Sequence, residues 1–158
     1  MGEHHTKRRV GHSAEDMFKL VGHVEHYPRF VPLCESLKVK KREVRDGKTF
    51  ILADMTVAYA MFRDTFTSRV VMDPENLSID VDYVSGPFSS LVNRWKFEPV
   101  DANSCDVDFF IAWKMKSRAL ELVVGAVFER AFRTFADAFE ARADFVYKRR
   151  DLAESAAN

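Results

Sequence analysis

From Glu35 to Met115 the apolar residues of this chain recur every second position, and from Arg118 onward they recur every three to four. That single change of period is the strongest constraint on the fold, because it demands a run of strands followed by one long helix. The strand signal is clearest where Leu77, Ile79, Val81 and Tyr83 alternate with Ser78, Asp80 and Asp82, the pattern of a sheet with one wet face. Asp46-Gly47 separates segments 36–45 and 48–58 and reads as a two-residue hairpin turn. Further strands are expected at 63–72, 77–83, 90–99 and 104–116. They are divided by Asp73-Pro74-Glu75-Asn76, Ser85-Gly86-Pro87 and Asp101-Ala102-Asn103-Ser104. In the last strand Val107, Phe109, Ile111, Trp113 and Met115 share a side.

Before these strands, Thr6–Val10 reads as a short strand. Ser13 to Asp16 resembles a capping box that opens a helix carrying Met17, Leu20, Val21 and Val24 on one stripe. Pro28 and Pro32 disfavour continuation of that helix to Leu33, so a short helical turn at 24–30 is expected. Between Arg118 and Arg149 a broad stripe of Leu120, Val124, Val127, Phe128, Ala131, Phe135, Ala138, Phe139, Phe145 and Val146 suits a concave partner more than a single helix. The order is β-α-α-β6-α, an α+β fold. A twisted seven-stranded antiparallel meander curls, and the long C-terminal helix must fill its concave face. Residues 1–148 are read as one domain and 149–158 as a frayed polar tail.

The chain has 158 residues, with 24 Lys plus Arg against 24 Asp plus Glu, which argues against wholesale binding of nucleic acid through a basic surface. Fourteen Phe are more than closing a small core requires, and suit a wall around something apolar. Two cysteines, Cys34 and Cys105, make no disulfide framework and suggest a reducing compartment. The first ten residues lack an apolar core of the secretory kind. Gly2 and Thr6 satisfy the loose myristoylation pattern, but the basic run behind them reads better as a strand. No apolar run reaches 18 residues. All five histidines lie in the first 26 residues, and none has partners at metal-ligand spacing. Cys34 has no base that sequence can place beside it, and no Gly-rich phosphate loop is present. Catalysis is not expected.

Three segments, YPRFVPLCESLKV (27–39), GPFSSLVNRWKFEPV (86–100) and CDVDFFIAWKMKSRALELVVGAVFERAFRTFADAF (105–139), resemble the coenzyme-Q-binding branch of the START superfamily. This is the helix-grip fold shared with polyketide cyclases and birch-pollen-like allergens. The resemblance implies a non-enzymatic protein that holds a polyprenylated, ubiquinone-like quinone in an apolar cavity, with no covalent cofactor. Such a protein would carry the quinone for its synthesis or its delivery to the respiratory chain. It would be cytoplasmic and peripheral to the inner membrane. The same family includes a toxin-like subgroup that acts on the large ribosomal subunit to block subunit association, and the motifs do not separate the two.

On the quinone reading Tyr27, Phe30, Val31 and Leu33 line or gate the mouth, with Phe88 and Leu91 at a corresponding rim. Met55, Val57, Phe66, Val81, Tyr83, Trp95, Phe109, Ile111 and Trp113 line the cavity from the sheet, and Val127, Phe128 and Phe135 from the helix. Lys38, Lys40, Lys41, Arg42, Arg45 and Lys48, a net +4 with Glu43 and Asp46, are expected to meet anionic headgroups or ribosomal RNA. Cross-strand pairing accounts for other charges. With the first strand placed between the second and the last, as in the helix-grip order, Lys7 and Arg9 would pair with Asp106 and Asp108.

Overall fold

A computed structural model describes the backbone of residues 2–157 and the side chains of residues 2–148. Strand β1 (Gly2–Val10) leads into helix α1 (Ala14–Gly22) and a 3-10 helix (Val24–Arg29). Six strands follow: β2 (Cys34–Arg45), β3 (Lys48–Tyr59), β4 (Phe62–Asp73), β5 (Ser78–Ser85), β6 (Phe88–Asp101) and β7 (Ser104–Met115). Helix α2 (Arg118–Ala157) closes the fold.

The local signals explain these elements. Ser13 is the N-cap of α1, its hydroxyl accepting from the Asp16 amide at 3.1 Å. Asp46 and Gly47 both have positive φ, 53° and 77°, as a tight primed hairpin turn requires. Pro28 sits inside the 3-10 helix, and residues 30–33 pass from it into β2 through turns, with the Cys34 amide donating to the Val31 carbonyl at 3.2 Å, instead of the extended entry expected from the prolines. Gly86 has φ 141°, and a Cβ there would stand 2.4 Å from the Phe66 Cβ, so only glycine fits.

The seven strands form one antiparallel sheet in the order β1-β7-β6-β5-β4-β3-β2. Bulges interrupt β2 beside Cys34 and Val39, and β6 beside Phe88 and Pro99, and each increases the twist. The first strand therefore pairs with β7 alone and lies at an edge, not between the second strand and the last. The pairing expected for Arg9 holds, with Arg9 Nε 3.0 Å from Asp106 Oδ1, but Lys7 reaches across β7 to Glu98 on β6 at 2.8 Å. Asp108 instead contacts His5 at 2.6 Å.

The sheet wraps α2. The buried side of the helix carries Val124, Phe128, Ala131, Phe132, Ala136, Phe139 and Ala143. Phe132, Ala136 and Ala143 were not in the stripe expected from sequence, whereas Phe145, which was, is 57% exposed with Arg142 over its ring. Arg8 fastens β1 to the helix through Asp137 at 2.6 Å and Glu140 at 3.2 Å, and His12 adds Asp144 at 2.6 Å. Helix α2 continues to Ala157 rather than ending near Arg149, so the backbone of residues 149–157 is helical. The side chains of 149–158 lie outside the described residues. Among the described residues no helix is long and apolar enough to cross a membrane.

Replacing Gly86 by Ala forces both the clash with Phe66 and an unfavourable φ. Chemical denaturation should show a loss of about 1–3 kcal/mol, and a loss under a few tenths would mean that the turn relaxes freely.

Candidate ligand cavity

Between the concave face of the sheet and α2 lies a cavity with a hydrocarbon wall. Val24, Tyr27, Pro32, Leu33 and Leu37 form its side wall; Ala53, Met55, Val57, Phe66, Ser68, Val70, Val81, Leu91, Asn93, Trp95 and Ile111 come from the sheet. Phe128, Ala131, Phe132, Phe135 and Phe139 descend from the helix. The open space is about 70 Å³, against about 780 Å³ for all the surrounding crevices including those open to solvent. It is a narrow slot, with room for a few water molecules as it stands.

Aromatic rings make it narrow. Phe139 stands edge-on to Tyr27, Phe30 and Trp95, with centroids 5.2, 5.0 and 4.9 Å away. Phe132 meets Trp113 at 4.8 Å and Phe135 at 5.3 Å, and Phe88 meets Phe128 at 5.1 Å. These edge-to-face contacts favour fixed ring orientations.

Of the residues expected to line the cavity, Tyr27, Leu33, Met55, Val57, Phe66, Val81, Leu91, Trp95, Ile111, Phe128 and Phe135 do so. Phe30, Val31, Tyr83, Phe88, Phe109, Trp113 and Val127 do not. Phe88 is 1% exposed and packs behind Phe66, with its amide donating to the Tyr83 hydroxyl, so it belongs to the core and not to a rim. Phe109 and Trp113 face the same side as Ile111, but Trp95 and Phe132 cover them. Val31 is buried at 5% outside the cavity, Phe30 faces a separate recess, and Val127 faces an outer groove. Val24, Pro32, Leu37, Ala53, Val70, Ala131, Phe132 and Phe139 were missed among the apolar lining. Phe132 and Phe139 carried a sequence signal, the spacing from Phe128, Phe132, Phe135 and Phe139 that repeats every three or four residues.

Polar atoms are few. Tyr27 donates its hydroxyl to the Val21 carbonyl, and burial pushes its pKa up beyond any accessible range. Asn93 accepts from Trp95 Nε1 at 2.9 Å and donates to the Phe110 carbonyl at 2.9 Å, so both ends of its amide are engaged. Ser68, 7% exposed, contributes a hydroxyl to the wall between Phe66 and Val70. Neither the lining alternation nor any motif marked Ser68 and Asn93 in the sequence.

The cavity shares Pro32, Leu33 and Ala131 with an outer groove that Tyr59, Ala126, Val127, Arg130 and Thr134 complete. The way in therefore passes between the Pro32-Leu33 segment and α2. Leu33 adopts φ 68°, a left-handed conformation that branched side chains rarely take, and its carbonyl accepts from the Ala58 amide at 3.0 Å. This places the mouth at the end of the sheet that holds the Ala60–Met61 turn. The basic hairpin around Asp46-Gly47 is at the opposite end of β3, roughly 35 Å away along twelve residues of strand. Its charges are also partly neutralised: Arg42 binds Glu25 at 2.9 Å, and Lys40 and Lys48 lie 3.8 Å from Asp54 and Asp73. Arg45 lies over the Phe50 ring. Lys38 and Lys41 make no ion pair among the described residues.

Neither cysteine is disposed for nucleophilic work. Burial pushes the Cys34 thiol up to about 11, and burial together with Asp106 and Glu15 does the same to Cys105. Among the described residues no group of three His, Cys, Asp or Glu side chains is placed to hold a metal. Iodoacetamide at pH about 8 should leave both cysteines unmodified in the folded protein and label both after unfolding, because only the thiolate reacts; fast labelling of folded Cys34 would contradict its burial.

The family model described as polyketide cyclase / dehydrase and lipid transport matches residues 10–140. The chain is 34% identical over 141 residues to the ribosome association toxin RatA of Escherichia coli, covering 89% of this chain and 86% of that protein. It is 32% identical to the mitochondrial coenzyme Q-binding protein COQ10 of Drosophila melanogaster over 114 residues, 70% of this chain and 46% of that one. A START superfamily protein from Mycobacterium smegmatis shares the fold, with a TM-score of 0.75 at 19% identity over 91% of this chain and 98% of that one. The chain thus belongs to the polyketide cyclase / dehydrase and lipid transport family and has the helix-grip fold of the START superfamily.

Proposed function

We propose that this protein binds a prenylated quinone in the cavity between the sheet and α2, and carries it without catalysing a reaction on it. The observation that carries this reading is the cavity itself, whose wall is hydrocarbon and aromatic and whose mouth opens at one end of the molecule. Such a wall offers an isoprenoid chain burial worth about 25 cal/mol per Å² of apolar surface. Ser68 supplies a hydroxyl that can donate to a quinone carbonyl. The family description includes lipid transport, and one relative is named as a coenzyme Q-binding protein. The slot must widen to admit such a ligand, by rotation of Phe132, Phe135 and Phe139 or a shift of α2.

The mouth suits contact with a membrane better than the basic hairpin does. Met61 is wholly exposed and Tyr59 half exposed on the β3–β4 turn. Leu122 and Val123, 87% and 70% exposed, stand one helical turn above the groove residues Ala126 and Val127. Lys114, Lys116 and Arg118 are exposed beside them. Whereas Asp46-Gly47 is the residue pair such a turn favours, Ala60 takes φ 53° without the freedom of glycine, and the turn displays a bare methionine. Local cost at an apolar exposed tip is the mark of a surface kept for contact.

A second reading rests on Lys38 and Lys41, exposed on edge strand β2 and in no ion pair among the described residues, and on relatives named as ribosome association toxins. Docking on the large ribosomal subunit would then use this face and weaken steeply with salt.

Organic extraction of protein from its native host followed by mass spectrometry should find a prenylquinone near one per chain. Titrated quinone should quench Trp95, with Ser68→Ala weakening binding about five- to tenfold, the worth of one hydrogen bond. A clean extract and no quenching would end the quinone reading, and sedimentation with large subunits would then be the test of the second. Met61→Glu and Leu122→Glu, both at exposed positions, should slow pickup from vesicles several-fold while leaving affinity in detergent unchanged.

A further inference from the structure

We propose that a recess on the far side of Phe30 binds a free, water-borne phosphate-bearing molecule. The recess, about 160 Å³, is lined by Lys19 and Leu20 of α1, His23, His26 and Phe30 around the 3-10 helix, and Arg142, Val146 and Tyr147 of α2. Four nitrogen-bearing side chains from three elements converge on it, and the His23 and His26 rings stack 3.7 Å apart.

Among the described residues no carboxylate forms an ion pair with these groups. The Arg142 guanidinium is held over the Phe30 and Phe145 rings at 5.4 Å from each, which fixes its orientation without neutralising it. Neighbouring acids are engaged elsewhere: Glu25 with Arg42, Asp144 with His12 and Glu140 with Arg8. Among the described residues neither Lys19, Arg29 nor Arg142 makes an ion pair. Holding like charges together costs free energy that an anion would recover. Burial, and then His23, Arg29 and Arg142, hold His26 below its usual pKa, with only Glu25 opposing them. A bound dianion reverses that balance, and the His26 ring can then carry a proton that donates to it.

A phosphate fits better than a carboxylate because the donors come from several directions and Arg142 presents a planar fork. The apolar wall of Leu20, Phe30, Val146 and Tyr147 implies that the phosphate carries an organic part. A lipid headgroup in a bilayer at the cavity mouth is out of reach, since Arg142 lies about 28 Å along α2 from Val123. Tyr147 is locked by its hydroxyl donating to the Asp16 carbonyl at 2.7 Å, so the wall is preformed.

The test is a titration of the intact protein with inorganic phosphate and with phenyl phosphate at constant ionic strength, following the histidine ring protons by NMR. His23 and His26 should shift saturably while His4 and His5 stay in place, and phenyl phosphate should bind several-fold more tightly than phosphate. Arg142→Gln should weaken binding at least tenfold. Lys19→Gln, at an exposed position that does not affect folding, should weaken it a few-fold. With sulfate, whose charge is constant, affinity should rise several-fold as pH falls from about 7.5 to about 5.5, because the anion favours protonation of His26. Shifts shared by all five histidines without saturation, or binding untouched by both substitutions, would overturn the site. Binding only to vesicles containing phosphatidic acid, and not to either soluble phosphate, would overturn it as well.

Discussion

The architecture depends on one set of contacts, the row of phenylalanines that α2 lowers into the curl of the sheet. Phe128, Phe132, Phe135 and Phe139 meet Phe88, Trp113, Phe109 and Trp95 edge-on or tilted, with centroids 4.8–6.5 Å apart. A sheet this twisted cannot pack flat against a helix, and small aliphatic side chains would leave a wide void. Large rings fill most of the gap at low entropy cost, because each has only two side-chain torsions. What remains is a slot whose width is set by ring rotation. Core and cavity are thus made of the same residues, and ligand uptake must be a repacking of the core.

The polar contacts around this core hold the helix in place at its sides. Arg8 and His12 join β1 and the start of α1 to Asp137, Glu140 and Asp144, all in the second half of the described helix. Tyr147 adds its bond to α1. The first turns of α2 expose Leu122 and Val123. Opening at the other end of the helix would break the contacts of Arg8, His12 and Tyr147.

How much of this was legible depended on the range over which each signal acts. The alternation in β5 and β7, the Asp-Gly turn and the Ser13 cap are decided within a few residues, and the strands and α1 fell where those residues put them. The placement of β1 was less accessible, since an edge and an interior position differ only in long-range pairing. The stripe on α2 erred at Phe145 and Phe132 because the helix buries whichever flank the sheet covers, and hydrophobicity alone does not report where the sheet ends. Cavity lining was legible wherever it coincided with the inner face of a strand. It failed at Phe88, Phe109 and Trp113, which point inward but are covered by a further ring, and burial order among aromatic residues is a property of three-dimensional packing. Ser68 and Asn93 were invisible for the same reason: a polar residue on an inward position looks like an interruption until its surroundings are known.

The two ends of the molecule pose opposite electrostatic problems, and this separates what each can do. At the mouth, apolar tips lie beside a few exposed cations, which suits a surface where hydrocarbon and anionic groups meet. Around His26 the cations gather against half-buried rings, which excludes a flat partner and admits a small anion. Phe30 stands between the two regions, its ring against Tyr27 and Phe139 on the cavity side and under Arg142 on the other. Any rotation of Phe139 that widens the slot moves a ring on which Phe30 leans, and Phe30 in turn supports the guanidinium. A ligand in the cavity and an anion in the recess would therefore act on one aromatic contact from opposite sides. Their coupling must be mutual, since each changes the free energy of the arrangement that the other requires.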